Sequence, residues 1–505
     1  MQDSECSDNR PRAAWPRGWV LAALVVTVLL VVVVRLRLLQ IPLERDEGEY
    51  AYAGQLLLDG IPPYKLAFNM KLPGTYASYA AIMALFGQTT GGIHFGFLLV
   101  NLATLALLFF VARRLLDVSH AVVACIAYAL LSMSSGVLGL EGHATHLVVL
   151  AALGGLLLLL KARTSGSLWT FGSSGLAFGL SFLCKQPGLF FGLFGLVILL
   201  RDALSASSER GRRLWRAAIF GAGLALPFLL TCLLMAWAGT FDRFWFWTVV
   251  YARTHAGLLG WQEGLADLID FNRKSGPVRW SLITAAIGLL CLVRDRERSE
   301  ARLILGWLLV FSLVAFTASF YFSRHYFIMM LPVVCLLTAV AVRRAAQALG
   351  EAKPAAGFAV ACAVFIFLNR ALWFEQTPEE ACRALYGGNP FPEAVSIAKY
   401  VQEHSNPTDT IAIMGSEPEI YFLAHRHSAS GYIYMYDLMQ THQFALDMQT
   451  ETMRQIEAAK PKFLLIVYVD SSWTFQEHSN MGIASWYKTY WDKYYEMAGM
   501  VWLLP

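Results

Sequence analysis

Charge is what this chain is short of. Only 15% of its 505 residues are Asp, Glu, Lys or Arg, against roughly a quarter in soluble domains. The polar surface that would keep a folded chain of this length in water is missing. The net charge of +4 is also too small for a nucleic-acid partner, whose phosphates call for a dense basic face. Cysteine is sparse: there are 8, none spaced C-x-x-C, so thiol-bound zinc is not expected. The C-terminal portion holds only Cys382 and cannot form a disulfide within itself. Repeats and low-complexity tracts are absent. The apolar segments carry few ionisable groups, which transporters of ions and polar solutes usually keep inside their spans.

What the chain has instead is apolar length. Residues 20–34, 95–111, 121–131, 147–160, 176–183, 189–200, 217–237, 281–293, 304–320, 326–342 and 355–368 are nearly uncharged. With their flanks most approach the roughly 20 residues that cross a bilayer. The reading is a polytopic α-helical membrane protein of about eleven spans. A cytoplasmic N-terminus (Arg10, Arg12, Arg17) then puts the dense basic loops on the same side, at 113–114, 161–163, 201–216, 294–298 and 343–344, as the positive-inside rule requires. The run at 76–86 is too short to span, and counting it would turn every later basic loop outward. It is expected as an interfacial or re-entrant helix. The basic leader without a small-residue cleavage site reads as an uncleaved signal-anchor.

The expected organisation is a cytoplasmic N-terminus at 1–17, a membrane domain at 18–373 with outer loops at 41–92 and 240–279, and an extracytoplasmic α/β domain at 374–505. In that last part, 392–404, 448–459 and 483–497 have helical patterning, and 410–414 and 463–469 read as buried strands.

The ionisable residues gather at the outer ends of the spans. Glu44-Arg45-Asp46-Glu47-Gly48-Glu49-Tyr50 contains Asp46-x-x-Glu49, the spacing of a capping box for a helix over 47–58 that Asp59-Gly60 and Pro62-Pro63 end. Capping leaves Glu47 without a role, and a carboxylate pair in a partly dry cleft is a candidate general base. Lys71 in the same loop is either a headgroup contact or a phosphate ligand. Glu141, His143 and His146 lie between the third and fourth spans, either as a solvated loop or as a second acid with imidazoles. Asp46, Glu141 and His143 could share a divalent metal ion, the one cofactor their chemistry suits. Arg324-His325-Tyr326 opens the tenth span and has the makings of an anion site, with an interfacial anchor as the alternative. Lys185-Gln186-Pro187-Gly188 offers another cation. The Trp-rich loop around Phe244–Trp261 suggests an amphipathic interfacial helix. Ser416-x-x-Glu419 reads as a further capping box, and the aromatics at 486–495 as packing.

These residues resemble a family. Asp46-Glu47-Gly48-Glu49-Tyr50-Ala51-Tyr52, then Pro62-Pro63-Tyr64 and Lys71-Leu72-Pro73-Gly74, look like the first outer loop of bacterial GT-C glycosyltransferases, the group of the lipid A aminoarabinose transferases and protein O-mannosyltransferases. Glu141, Lys185-Gln186-Pro187-Gly188 and Arg324-His325-Tyr326 with Pro332 follow in that family's order. The resemblance covers the membrane domain and implies a GT-C fold in a bacterial inner membrane. It implies a polyprenyl-phosphate sugar donor and a lipid, glycan or protein acceptor, as in lipopolysaccharide or protein glycosylation. Transfer would occur at the outer face with inversion. Asp46 would be the general base or acceptor-orienting group, with Glu47 and Glu141 as accompanying acids. Lys71 and Arg324, with His325, Tyr326 and Lys185, would meet the leaving phosphate. One departure is Met70, where the aminoarabinose transferases have an acid that helps bind a metal. Competing readings are a transferase of another lipid-linked group and a lipid or polysaccharide transporter.

Overall fold

The computed structural model describes residues 17–205, 208–295, 297–318 and 320–503; Arg10, Arg12 and Arg296 lie outside them. The first part of the chain runs through α1 (Arg17–Arg37), α2 (Arg45–Leu58), α3 (Pro73–Phe86), α4 (Thr90–Leu115), α5 (Val118–Leu131), α6 (Ala144–Ser165), α7 (Leu168–Cys184), α8 (Leu189–Leu204) and α9 (Arg210–Trp237). It continues through short α10 (Phe241–Trp245), α11 (Ala252–Ala256) and α12 (Trp261–Lys274), then α13 (Val278–Arg294), α14 (Ser299–Thr317), α15 (Leu331–Leu349) and α16 (Ala352–Leu368).

Six of these helices among the described residues are long and apolar enough to cross a bilayer: α4, α6, α8 with its leading turn, α9, α14 and α15. A seventh is added if α12 and α13, bent by 100° at their junction, count as one span, and α5, α7 and α16 are shorter apolar helices. The chain is a multi-pass membrane protein. With 14 residues, α3 reaches only about 21 Å at 1.5 Å per residue, short of a hydrocarbon core of roughly 30 Å. Small residues let the spans close on one another: a Cβ on Gly175 of α7 would stand 2.0 Å from the Phe220 carbonyl oxygen of α9.

The C-terminal part contains α17 (Pro378–Tyr386), α18 (Phe391–Glu403), β1 (Thr410–Met414), α19 (Glu419–Ala424), β2 (His427–Ser428), α20 (Tyr436–Met439), α21 (Ala445–Ala459), β3 (Phe463–Ile466), α22 (Asp470–Trp473) and α23 (Gly482–Tyr494). Its three strands are parallel in the order β2-β1-β3, with Ile411 opposite both Ser428 and Phe463. The expected strand at 410–414 is β1. The one at 463–469 is shorter, and β2 was not expected.

Two local expectations are corrected. Helix α2 begins at Arg45, and its cap is Glu44: the Glu44 carboxylate accepts from the Glu47 N–H while Glu47 reaches back to the Glu44 N–H. Asp46 is therefore not the cap. Ser416 does not cap α19 either, because its hydroxyl donates to the Ser472 carbonyl and accepts from the Met435 N–H.

The C-terminal unit sits directly on α2. The Arg45 guanidinium donates to the Ser416 carbonyl and to the Glu417 carboxylate at 3.1 Å, and Tyr434 donates to a shared site formed by the Arg45 carbonyl and Glu49. The approach is close enough to demand glycine at position 48, where a Cβ would stand 2.5 Å from the Glu419 backbone nitrogen. The aromatic loop is not a free amphipathic helix: Phe244, Trp247 and Tyr251 are buried, and Tyr251 donates to Asp437 of α20 at 3.0 Å.

Candidate active site

Asp46 occupies the first turn of α2, and because Glu44 caps the helix its carboxylate is free to face the loops that follow. Lys71 donates to Asp46 Oδ1 and to the Tyr50 hydroxyl, each at 3.2 Å. The turn between α7 and α8 brings in a second lysine. Gln186 donates to the Met70 carbonyl and Thr75 to the Cys184 carbonyl, so the two lysine-bearing loops are stitched together. Lys185 Nζ lies 4.2 Å from the centre of the Tyr326 ring. On its other oxygen, Asp46 Oδ2 is 3.9 Å from His325 Nε2. The His325 ring stacks on His143, with centroids 4.2 Å apart and planes inclined by 16°.

The side chains of Asp46 and Lys71 are 21% and 16% exposed, which makes them the accessible part of an otherwise closed constellation. Burial alone would push the Asp46 carboxyl up. Lys71 first, then Lys185 and His143, outweigh it and hold the group at about 2. Burial and then the neighbouring Lys71 push Lys185 down to about 7. Burial also takes His143 down to about 4 and His325 well below the usual imidazole range. At neutral pH the site is an ionised carboxylate with one fixed cation, one titrating cation and two neutral imidazoles.

The remaining expected residues are placed differently. Glu47 is fully buried and accepts from His94 Nε2 at 3.0 Å and from the Gly142 N–H while it closes the cap. Glu141 is also fully buried, without a hydrogen-bond partner on either oxygen, and burial pushes it up to about 7. Arg324 spends its guanidinium on the carbonyls of Ser135 and Leu385. Its η nitrogens therefore support the turn before α15 rather than facing the lysines. Tyr326 lies beneath Lys185. The carboxyl groups that could share a metal with His143 do not include Glu141: the set that comes together is Asp46, His143 and His325, with donor atoms within 4.8 Å of one another.

By type that set suits a divalent ion, and both ring nitrogens of His143 lack hydrogen-bond partners. Stacked rings, however, carry their lone pairs in nearly parallel planes, so one imidazole would have to turn for both to ligate.

Several positioning residues were not read from the sequence. His94 holds Glu47. Tyr76 and Tyr434 hold Glu49, at 2.5 and 3.0 Å. Glu44 is itself the cap. Only His94 left a local signal, as the one ionisable residue in the first turns of an apolar span.

Residues 71–237 match the dolichyl-phosphate-mannose-protein mannosyltransferase family. No curated protein sequence matches the chain. Among solved structures, ArnT from Cupriavidus metallidurans bound to undecaprenyl phosphate is 15% identical, with 89% of this chain and 90% of that one covered at a TM-score of 0.54. The oligosaccharyltransferase AglB from Archaeoglobus fulgidus, in complex with an inhibitory peptide and a dolichol-phosphate, is 13% identical over 90% of this chain and 70% of that one, at 0.55. The same enzyme is similar in a complex with Zn and sulfate, at 14% identity, 81% and 62% coverage and 0.53. In fold, and in its matched segment, the chain is similar to GT-C glycosyltransferases of the ArnT and protein-mannosyltransferase type.

Proposed function

We propose that the chain is an inverting membrane glycosyltransferase that moves a sugar from a polyprenyl-phosphate donor to a hydroxyl acceptor at the extracytoplasmic face of a bacterial inner membrane. The observation that carries the reading is the Asp46 carboxylate with Lys71 on Oδ1 at 3.2 Å and His325 Nε2 3.9 Å from Oδ2. A phosphate leaving group needs a cation, and an attacking hydroxyl needs a carboxylate. The reading of about eleven spans, with the unit from about residue 374 outside, supports an outer-surface location for this constellation.

In the reaction the acceptor oxygen bonds to the anomeric carbon as the bond from that carbon to the phosphate oxygen breaks. The acceptor proton passes to Asp46, and the polyprenyl phosphate leaves on Lys71 and Lys185. Asp46 held at about 2 is a weak base while Lys71 is on it. A donor phosphate competes for the same ammonium, so donor binding loosens the grip that keeps the carboxyl low. Glu47 acts here as a buried support of the helix start, and the buried, unpartnered Glu141 takes no part in the step. Asp46, His143 and His325 would hold a divalent ion if one binds, where it would polarise the acceptor hydroxyl.

The test is incubation of purified protein with radiolabelled polyprenyl-phosphate sugars. Protein-dependent release of undecaprenyl phosphate, with an inverted anomer in the product, is expected. Lipid flux in proteoliposomes without any sugar release would replace this reading with a transporter.

A further inference from the structure

Beside the Asp46 site lies a cavity of about 340 Å³. Glu44, His143 and His325 form the wall nearest Asp46, and Asp267 of α12, Ser323 and Tyr386 of α17 line the rest. His143 is 1% exposed, its Nδ1 stands 3.6 Å from Glu44 Oε1, beyond hydrogen-bond reach, and neither ring nitrogen has a hydrogen-bond partner. The Tyr386 hydroxyl is buried without a partner as well. Buried polar atoms of this kind are normally paired, so both await a ligand or water that supplies donors and acceptors.

Charge narrows what that ligand is. Of the two cations on the cavity wall, Lys274 pairs with Asp270 at 2.7 Å, and Arg324 donates to backbone carbonyls and keeps its charge. Asp267 forms no ion pair among the described residues. Asp267 and Arg324 offset one another, so the wall offers a phosphate or carboxylate no net positive charge. An acyl chain would bury polar atoms against hydrocarbon at a cost. A neutral polyol meets the polar part of the wall, the remainder of which is Leu138, Phe271, Tyr321 and Phe322, and the volume lies at the small end of ligand pockets, roughly 300–1,000 Å³.

Resting on the glycosyltransferase reading, we propose that this cavity is the acceptor site and that it takes an uncharged, hydroxyl-rich sugar unit, its attacking hydroxyl presented to Asp46 past His325. An inverting displacement needs the nucleophile opposite the leaving group. Lys71 meets Asp46 Oδ1, and His325, on the cavity wall, approaches Oδ2, which is compatible with that arrangement.

The test uses full-length Ser323→Cys protein in nanodiscs, with the native protein as the labelling control. It is treated in parallel with a neutral glucose-bearing methanethiosulfonate and with the anionic methanethiosulfonate ethylsulfonate. The expected result is labelling by the neutral reagent about tenfold faster than by the sulfonate, which must shed its hydration in a space without net positive charge. The glucose-labelled protein should still bind undecaprenyl phosphate as the unlabelled variant does. It should lose about 100-fold in sugar transfer from lipids extracted from the expressing cells, because the acceptor can no longer be positioned. Equal labelling by both reagents overturns the assignment of a neutral ligand. Undiminished transfer after labelling overturns the acceptor site, and transfer to serine- and threonine-bearing peptides in place of glycans overturns the acceptor class. Failure of the unlabelled protein to bind undecaprenyl phosphate would instead count against the donor side of the proposed reaction, and the reagent comparison would still report on the cavity.

Discussion

In α2, Glu47 and Glu49 are closed off from solvent and spend their oxygens on His94 and the Gly142 N–H and on the hydroxyls of Tyr76 and Tyr434, and Glu44 caps the helix while also lining the cavity. By contrast, Asp46 is partly open and touches only groups that a substrate could displace or use. Four carboxyls within six residues thus separate into a structural knot and a reactive edge. The difference comes from what faces each side. The knot meets α4, the turn before α6 and the C-terminal unit, whereas the edge meets the two lysine loops and the cavity.

The sharpest way to break the comparison is to take away the cation on the reactive edge. Lys71→Met is expected to weaken undecaprenyl phosphate binding by about 10- to 100-fold, the worth of a charge-assisted bond, as read by a filter or thermal-shift assay. The same change should lift the Asp46 carboxyl from about 2 towards its ordinary 3.8. A carboxyl held low in the fold stabilises it above the unfolded value, and that contribution is lost as pH falls towards 2. Lys71→Met should therefore have lower stability at neutral pH but a flatter fall in stability between about pH 4 and pH 2, because its Asp46 has no lowered carboxyl to lose.

Changes in the knot should act on folding instead. Glu47→Gln leaves His94 and the cap half-served and is expected to cost about 3 kcal/mol, seen as a lowered unfolding temperature, while turnover per folded molecule persists. Glu49 supplies a pH test of the opposite sign. Burial first, then Asp46, lift it from 4.5 to about 7, so its neutral form favours the fold, and that stability is lost as pH rises through 7. Glu49→Gln should flatten the fall in unfolding temperature between pH 5 and 8. The smallest effect is expected of Tyr434→Phe, about 1 kcal/mol for one hydrogen bond, with a modest loss of turnover because α2 is less firmly held by the C-terminal unit.

Much of this was legible in the sequence where the signal is local. The apolar runs, β1 at Thr410–Met414 and the non-spanning α3 all follow from length and periodicity. The cap of α2 was read two residues late for a physical reason: Asp46-x-x-Glu49 and Glu44-x-x-Glu47 have the same spacing, and Asp is the better intrinsic N-cap. What settled the register was His94 and Gly142, distant in sequence, which need Glu47 facing inward. Long-range placement also decided the site. Lys71 and Lys185 meet because Gln186 and Thr75 tie their loops. His325 replaces Glu141 beside His143, and Arg324 is consumed by carbonyls. No spacing rule reports such pairings.

The most direct measurement compares Asp46→Asn with the native protein for thermal unfolding, undecaprenyl phosphate binding and single-turnover sugar transfer. With Asp46 as the reactive carboxylate, the variant should fold and bind lipid phosphate while transfer falls by about 100- to 10,000-fold. An Asp46→Asn protein that transfers sugar at the native rate would contradict the account.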